Sequence, residues 1–433
     1  MTIAPKNSVK IAPKSTHRAV PRKLALMVIT DVVANKKALD DAIEDHCAKT
    51  GLSGADRGWL TEVTSGVIRN LRRLDSAIDA YALKKKPAGK IRKILQIAVY
   101  QLLHQDRVFP ATVVSETVDF VRAEEGEPPA KFVNALLRKV SDARAEWGAP
   151  SDPGLRASVA EKAAWASVPD WWWRKLEKAY GYDEAIAIAA AALERPDTWF
   201  RVKSPTDTPD FLVPGPQAFS AHVREGADAS GIANLPGFKD GKWIVQDLAS
   251  QILVNRFVGM LPNGGKAVKV LDRCAAPGGK SVAMAWLGVD VVAADSSESR
   301  RKLLEEAVTR AAPAVRVVSE AELPSAGPFA AVWIDAPCSG SGIFRRHPDV
   351  RWLRNESDIG ALIEIQAKLL REAFSFVPVG GLVFYSVCSL FPEEGRDQLK
   401  AIASLGKVRE EIRLGPDQDP SCDGFYGAVI EKI

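Results

Sequence analysis

Two of the five cysteines in this chain stand where a thiol could act as a reagent. Cys338 lies in Asp335-Ala-Pro-Cys-Ser-Gly-Ser-Gly342, and Cys388 in Tyr385-Ser-Val-Cys-Ser389. Each follows an apolar run that reads as a strand, Ala331–Ile334 and Leu382–Tyr385. If both runs belong to one parallel sheet, both thiols meet over its carboxyl edge, where such sheets bind ligands. Asp335 shares a loop with Cys338. Upstream lies the glycine-rich turn Leu271-Asp-Arg-Cys-Ala-Ala-Pro-Gly-Gly-Lys-Ser281. A nucleotide-type cofactor loop followed by two thiols and a carboxylate suits covalent chemistry on an electron-poor carbon.

One chemistry that such a set of groups would suit is methylation of cytosine C5 in RNA. That carbon is too weak a nucleophile to take a methyl group directly. A thiolate adding at C6 makes C5 enamine-like, and an acid near N3 eases the addition. After methyl transfer the C5 proton must leave before the thiol can be eliminated, and a second thiol can help release. The reaction needs a nucleophile, an acid and a release group, which Cys388, Asp335 and Cys338 match. A lone cysteine is most often a small buried hydrophobe. That reading suits Cys47 and Cys422; Cys338 and Cys388 depart from it, each in a Ser/Gly/Pro loop beside a strand end.

In the cofactor loop, Val268–Leu271 reads as a buried strand, Asp272 ends it, and a helix opens at Ser281. Small residues let the backbone approach a ligand closely, and a helix N-terminus offers free N–H groups. Gly279-Lys280-Ser281 suggests a P-loop, but that motif needs a glycine where Cys274 stands. The next strand ends at Asp295, and an acid at that place takes ribose hydroxyls.

Several elements must position these groups. Residues 24–147 show helical spacing of apolar positions in Leu24–Ala48, Trp59–Leu83, Ile91–Leu103, Val113–Val121 and Phe132–Val140, which predicts a helical bundle. Residues 148–154 read as a linker. Residues 155–240 read as a helical and small α+β subdomain for RNA recognition, with a strand at Trp199–Lys203. Three adjacent tryptophans, Trp171-Trp172-Trp173, cannot share one helix face; they are expected to pack against the catalytic domain. Over 241–433, Ala267–Leu271, Val289–Ala293, Val315–Val318, Ala331–Ile334 and Leu382–Tyr385 alternate with helical stretches. That alternation predicts a doubly wound, largely parallel, Rossmann-like α/β domain.

A net charge of +4 is too small for whole-chain electrostatics to identify a partner, so the distribution matters more. Lys6, Lys10, Lys14, Arg18, Arg22 and Lys23 precede the first acid, Asp31, and residues 1–23 read as a basic disordered tail. Pro5, Pro13 and Pro21 argue against an amphipathic transit helix. Further clusters are Arg69/Arg72/Arg73, Lys84-Lys85-Lys86 with Lys90, Arg92 and Lys93, and Arg345-Arg346. Basic patches suit phosphate contact, although each taken singly also fits a solvated face. The odd, widely spaced cysteines fit neither a disulfide framework nor zinc. With no long apolar run and no signal-peptide pattern, a cytoplasmic protein without membrane contact or metal is expected.

These residues resemble the Sun/Nop2 family of RNA cytosine-5 methyltransferases. The matching stretches are Gln246-Asp247-Leu-Ala-Ser-Gln251, Cys274–Lys280, Asp295 with Arg300, Asp335–Gly342 and Tyr385–Ser389. Arg345–Trp352, Pro392-Glu393-Glu394-Gly395 and Asp423-Gly-Phe-Tyr426 resemble the branch that acts on bacterial small-subunit rRNA. Asp56-Arg57, Gly66–Arg69, Ala98–Leu103, Ser115-Glu116 and Phe132–Arg138 resemble the NusB-like RNA-binding domain found in such enzymes. The resemblance implies S-adenosylmethionine as methyl donor, lined by Cys274, Ala275, Ala276, Pro277, Gly278, Gly279, Lys280, Asp295, Arg300, Glu320 and Asp335. It implies Cys388 as nucleophile and Cys338 as release cysteine, with Asp335 and Lys280 completing the reacting set. Small-subunit rRNA, free or in an assembly intermediate, is the expected partner of a monomer. A tRNA methyltransferase and an inactive RNA-binding or ribosome-assembly protein are the alternatives. Three positions depart from the family pattern: Val387 replaces a usual Thr, Ser319-Glu320 a usual Gly-Asp, and Glu194 a usual Asn.

Overall fold

The protein is described by a computed structural model covering residues 19–82, 86–225 and 231–433. The chain divides into two compact units, one ending at Pro169 and the other beginning at Asp170.

The first unit is all helix: α1 (Ala19–Val33), α2 (Leu39–Thr50), α3 (Gly54–Arg69), α4 (Leu71–Tyr81), α5 (Gly89–His104), α6 (Pro110–Glu125), α7 (Glu127–Asp142), α8 (Arg144–Gly148) and α9 (Val159–Trp165). Helix α5 buries every residue from Ile94 to Leu102 at the centre. Helix α3 approaches α5 closely because Gly66 has no side chain; a Cβ there would lie 2.0 Å from the Tyr100 ring.

Two long predicted helices are broken. Leu24–Ala48 turns between α1 and α2, where Lys36 takes φ +57°. Trp59–Leu83 breaks at Asn70, whose side-chain amide donates to the Gly66 carbonyl. The expected disordered tail is also shorter than read. Pro21, Arg22 and Lys23 lie in α1, where a first-turn proline is tolerated, and Arg22 donates to Glu116 at 2.7 Å. The remaining tail basics, Lys6, Lys10, Lys14 and Arg18, and also Lys84 and Lys85, fall outside the described residues. The predicted break at 148–154 does not end this unit. Arg72 donates to the carbonyls of Val168 and Ala160, and Arg73 to that of Trp165, so residues through Pro169 fold back onto it.

The second unit opens with α10 (Asp170–Tyr180) and α11 (Tyr182–Ala191). An antiparallel sheet of order β2-β3-β1-β4 follows, from β1 (Trp199–Val202), β2 (Leu212–Pro214), β3 (Ser220–Val223) and β4 (Trp243–Val245). Phe200, Val202, Leu212, Ala221 and Trp243 form its small core. After α12 (Leu248–Met260) come β5 (Lys269–Asp272), α13 (Gly279–Trp286), β6 (Asp290–Ala294), α14 (Glu298–Ala311), β7 (Arg316–Val318), α15 (Leu323–Ala326) and β8 (Ala331–Asp335). The last elements are α16 (Val350–Leu353), α17 (Glu356–Ala373), β9 (Leu382–Val387), β10 (Gly406–Leu414) and β11 (Phe425–Lys432).

These strands form a seven-stranded sheet of order β10-β11-β9-β8-β5-β6-β7. The five strands from β9 to β7 run parallel. The sequence pattern predicts those five; β11 and β10 pair antiparallel at the end of the sheet and were not expected. Side chains alternate between two cores, as a pleated strand buried on both faces requires. Val270, Val291, Ala293, Trp333 and Phe384 pack towards α12, α13 and α14. Leu271, Val292, Ala294, Ile334 and Tyr385 face α17.

Helix α10 is amphipathic enough to bury Trp172 and Trp173 completely. Trp172 packs against Phe344 and Phe391, and Trp171 against Phe391. Trp171 and Trp172 therefore pack against the loops that follow Cys338 and Cys388, within the α/β unit as the sequence predicts.

Candidate active site

The parallel register of β8 on β9 sets Asp335 opposite Ser386. Both strands end at the same edge, and the loops beyond them bring Cys338 and Cys388 together with sulfurs 3.2 Å apart. The Gly342 amide donates to the Cys388 carbonyl, and the Gly424 amide to the Gly342 carbonyl. Gly342 is obligatory at that crossing, since a Cβ there would lie 2.0 Å from the Gly424 oxygen. Contact with the Cys388 sulfur, followed by burial, holds the Cys338 thiol well above the ordinary cysteine range.

Lys280, in the first turn of α13, donates to Asp335 at 2.7 Å. Asp335 also accepts from the Ser386 hydroxyl at 2.8 Å. Burial pulls the Lys280 ammonium down, but the charge and hydrogen bond of Asp335 outweigh it, and its proton affinity ends above the ordinary lysine value. Lys280 also lies 5.5 Å from the centre of the Phe425 ring.

The cofactor loop is fixed mainly by its backbone. Ala275 donates to the Ala294 carbonyl, and Ala276 to the Asp295 carboxylate at 3.3 Å. Arg300 donates to the Ala276 carbonyl and pairs with Asp295 at 3.4 Å. Pro277 is exposed. Gly278 takes φ +106°, and a side chain there would press on Leu304 and Ala307 of α14. The Gly279 carbonyl accepts from Gln246. The Cys274 thiol packs against the α17-side core, and burial pushes it up to about 12, so it is inert at neutral pH. Cys422 is likewise raised to about 12 by burial, and Cys47 is buried.

Asp272 is a polar residue whose importance the sequence pattern does not reveal. It is fully buried at the tip of β5 and accepts from Ser281 through one oxygen; the other has no partner. Burial pushes its carboxyl up to about 7, with Asp335 adding to the rise. An orphaned buried oxygen beneath a glycine loop, beside Asp295, fits a ligand carrying cationic or N–H groups. An acid closing an apolar strand just before the loop is the signal that could have found it.

The departures from the family pattern are accommodated. Val387 points into the α17-side core rather than towards the thiols. Ser319 caps the turn that follows through Glu322, while Glu320 is held by Arg273. Glu194 is exposed.

Among the described residues, several members of the basic clusters are paired with acids. Arg345 and Arg346 are gathered by Asp423, and Arg346 also by Asp247 at 2.7 Å. Lys90 pairs with Glu124 and Glu125, Lys86 with Asp79, and Arg92 with Asp75 and Asp79. Arg345-Arg346 therefore acts as a brace within the fold.

A Rossmann-like domain with paired thiols, preceded in the chain by a NusB-like helical unit, defines an RNA-modifying methyltransferase. The chain belongs to the 16S rRNA methyltransferase RsmB/F family, whose model matches residues 260–423, while residues 19–142 match the NusB family. It is 30% identical over 436 residues to the probable ribosomal RNA small subunit methyltransferase B of Synechocystis sp., covering 95% of this chain and 94% of that protein. Identity to the ribosomal RNA small subunit methyltransferase B of Shigella flexneri is 28% over 439 residues, covering 95% and 98%. Among solved structures, PH0851 matches with a TM-score of 0.69 at 20% identity, over 95% of this chain and 99% of its own. NSun6 from Pyrococcus horikoshii, solved with SFG, matches with a TM-score of 0.51 at 17% identity, over 61% and 98%. Among the described residues no helix is long and apolar enough to cross a membrane.

Proposed function

We propose that this chain methylates C5 of one cytosine in small-subunit (16S) rRNA, with S-adenosylmethionine as donor and a transient bond between Cys388 and C6. The observation that carries this reading is the pair of sulfurs 3.2 Å apart beside the Lys280–Asp335 pair. The names of the curated relatives and the SFG in NSun6, an analogue of S-adenosylmethionine, point the same way.

S-adenosylmethionine would lie on residues 274–280, against Asp272, Asp295 and the Arg300 and Glu320 edge, and would supply the methyl group. Cys388 adds through its sulfur to C6, and the electron pair of the C5–C6 double bond is shifted towards N3. The Lys280–Asp335 pair holds a proton within one hydrogen bond of the carboxylate, and shares it with N3 as negative charge develops there. Once C5 carries the methyl group, its proton passes to solvent, the electron pair of that C–H bond restores the ring double bond, and the C6–sulfur bond breaks with its pair returning to Cys388. Cys338, against the thioether sulfur, assists that release. Residues 1–23, the helical unit and the small sheet would position the RNA, and a base inside a helix would have to leave its stack to reach the thiols.

Two measurements test the reading. Bisulfite sequencing of small-subunit rRNA from cells with and without the gene should show one protected cytosine lost, restored by wild type but not by Cys388→Ala. Unchanged rRNA with an altered tRNA would overturn the substrate assignment. With purified protein, Cys338→Ala should accumulate a covalent protein–RNA adduct on a denaturing gel; its absence would overturn the assigned cysteine roles.

A further inference from the structure

Glu394 is fully buried, yet no ion pair joins it to a lysine or arginine among the described residues. Four neutral donors satisfy it instead. One carboxylate oxygen accepts from the Ser339 amide at 2.7 Å and from the Gln366 side chain at 3.1 Å. The other accepts from the hydroxyls of Ser339 and Ser389, the latter at 2.6 Å. Ser339 follows Cys338 and Ser389 follows Cys388, so one carboxylate holds the residue next to each thiol. Gln366 also donates to the Pro337 carbonyl at 2.9 Å, and the Glu394 carbonyl accepts from Tyr385 at 2.6 Å. A buried anion without a countercharge is costly to hold, and an apolar clamp could tie the two loops without that cost.

We propose that Glu394 is the positioning residue for both thiols: through its hydrogen bonds to Ser339 and Ser389 it fixes the spacing of the two sulfurs, and it sets a buried carboxylate without a countercharge beside Cys338. This rests on the cysteine roles proposed above. Before reaction, the Cys338 thiol then donates towards the Cys388 sulfur, leaving that sulfur the one free to attack C6. After methyl transfer, the C5 proton passes to solvent and the C6–sulfur bond breaks, and the Cys338 thiol hands its proton to the departing Cys388 sulfur 3.2 Å away. The negative charge of Glu394 raises the proton affinity of Cys338, alongside the larger effects of sulfur contact and burial.

Glu394→Gln isolates the charge, because serine hydroxyls can turn from donating to accepting and so still satisfy the new amide. The variant should fold. Its kcat should fall on the order of a hundredfold, as misplacement of reacting groups does, with KM for RNA unchanged and adduct accumulating during turnover. The pH-rate limb that reports Cys338 should move down by about one pH unit, as removal of a like charge requires. Wild-type kcat with an unshifted pH profile would overturn the proposal. If Glu394→Gln does not fold, Ser339→Ala and Ser389→Ala each remove one hydroxyl arm and should accumulate adduct; clean turnover by both would overturn it. Parallel assays of Cys388→Ala and Cys338→Ala separate the two readings. Should Cys388→Ala stay active or Cys338→Ala trap nothing, the cysteine roles fail whatever Glu394 does.

Discussion

At the scale of single residues, burial decides which titratable groups are reagents and which are ballast. Asp272 shows the effect most strongly, since its carboxyl is raised from 3.8 to about 7. The native state then binds a proton that the unfolded chain has lost, so stability falls as pH rises from about 4 to about 7. The penalty is complete above 7 and is at most about 4 kcal/mol, since each tenfold change in proton affinity is worth about 1.4 kcal/mol. Asp272→Asn should therefore raise the melting temperature of the cofactor-free protein at pH 8, with the gain vanishing towards pH 4; a pH-independent difference would disprove the assignment. Cys338 and Cys388 were legible in the sequence because a cysteine in a Ser/Gly/Pro loop at a strand end contradicts its usual fate. Glu394 was not, because its meaning depends on donors from three separate segments that only the fold assembles.

At the scale of elements, the site depends on three crossing loops rather than on any one strand. Gly342 is the crossing point, and its added methyl would meet backbone rather than a movable side chain. Gly342→Ala should lose about 1–3 kcal/mol in denaturant unfolding, the usual cost of overpacking, and should lose turnover as well. An unchanged midpoint with full activity would show that the loops can part. The five parallel strands were legible because their apolar runs carry β-branched residues between helical stretches. Strand β10 was not. Its Lys407, Arg409, Glu410, Glu411 and Arg413 read as solvated chain, and only pairing with β11 makes it a strand. The breaks at Lys36 and Asn70 were hidden for the opposite reason, since helical periodicity continues through both turns.

At the scale of the whole molecule, basic clusters that look alike in the sequence differ in kind: Arg345 and Arg346 are held by buried acids, while Lys86 and Lys90 pair with acids at the surface. Arg345 is buried against Asp423, so Arg345→Ala leaves that carboxylate to Arg346 alone and should cost about 1–3 kcal/mol. The slope of RNA affinity against salt should stay at its wild-type value, whereas loss of a phosphate-contacting arginine would reduce it by about one; such a reduction would return Arg345 to the RNA surface. Sequence alone could not separate the two cases, because the pairing acids Asp247 and Asp423 are distant in the chain. The touching sulfurs also set the conditions under which the enzyme can work. Thiols 3.2 Å apart need lose only two electrons and two protons to become a cystine, and that bond would consume the proposed nucleophile and the proposed release group together. Diamide, which accepts those electrons and protons, should silence methylation with the loss of two titratable thiols and no change in fold, and dithiothreitol should restore it. Full activity after diamide would show that the sulfurs keep apart in solution. On the proposed cysteine roles, methylation would stop when the surroundings turn oxidising and resume when they are reduced.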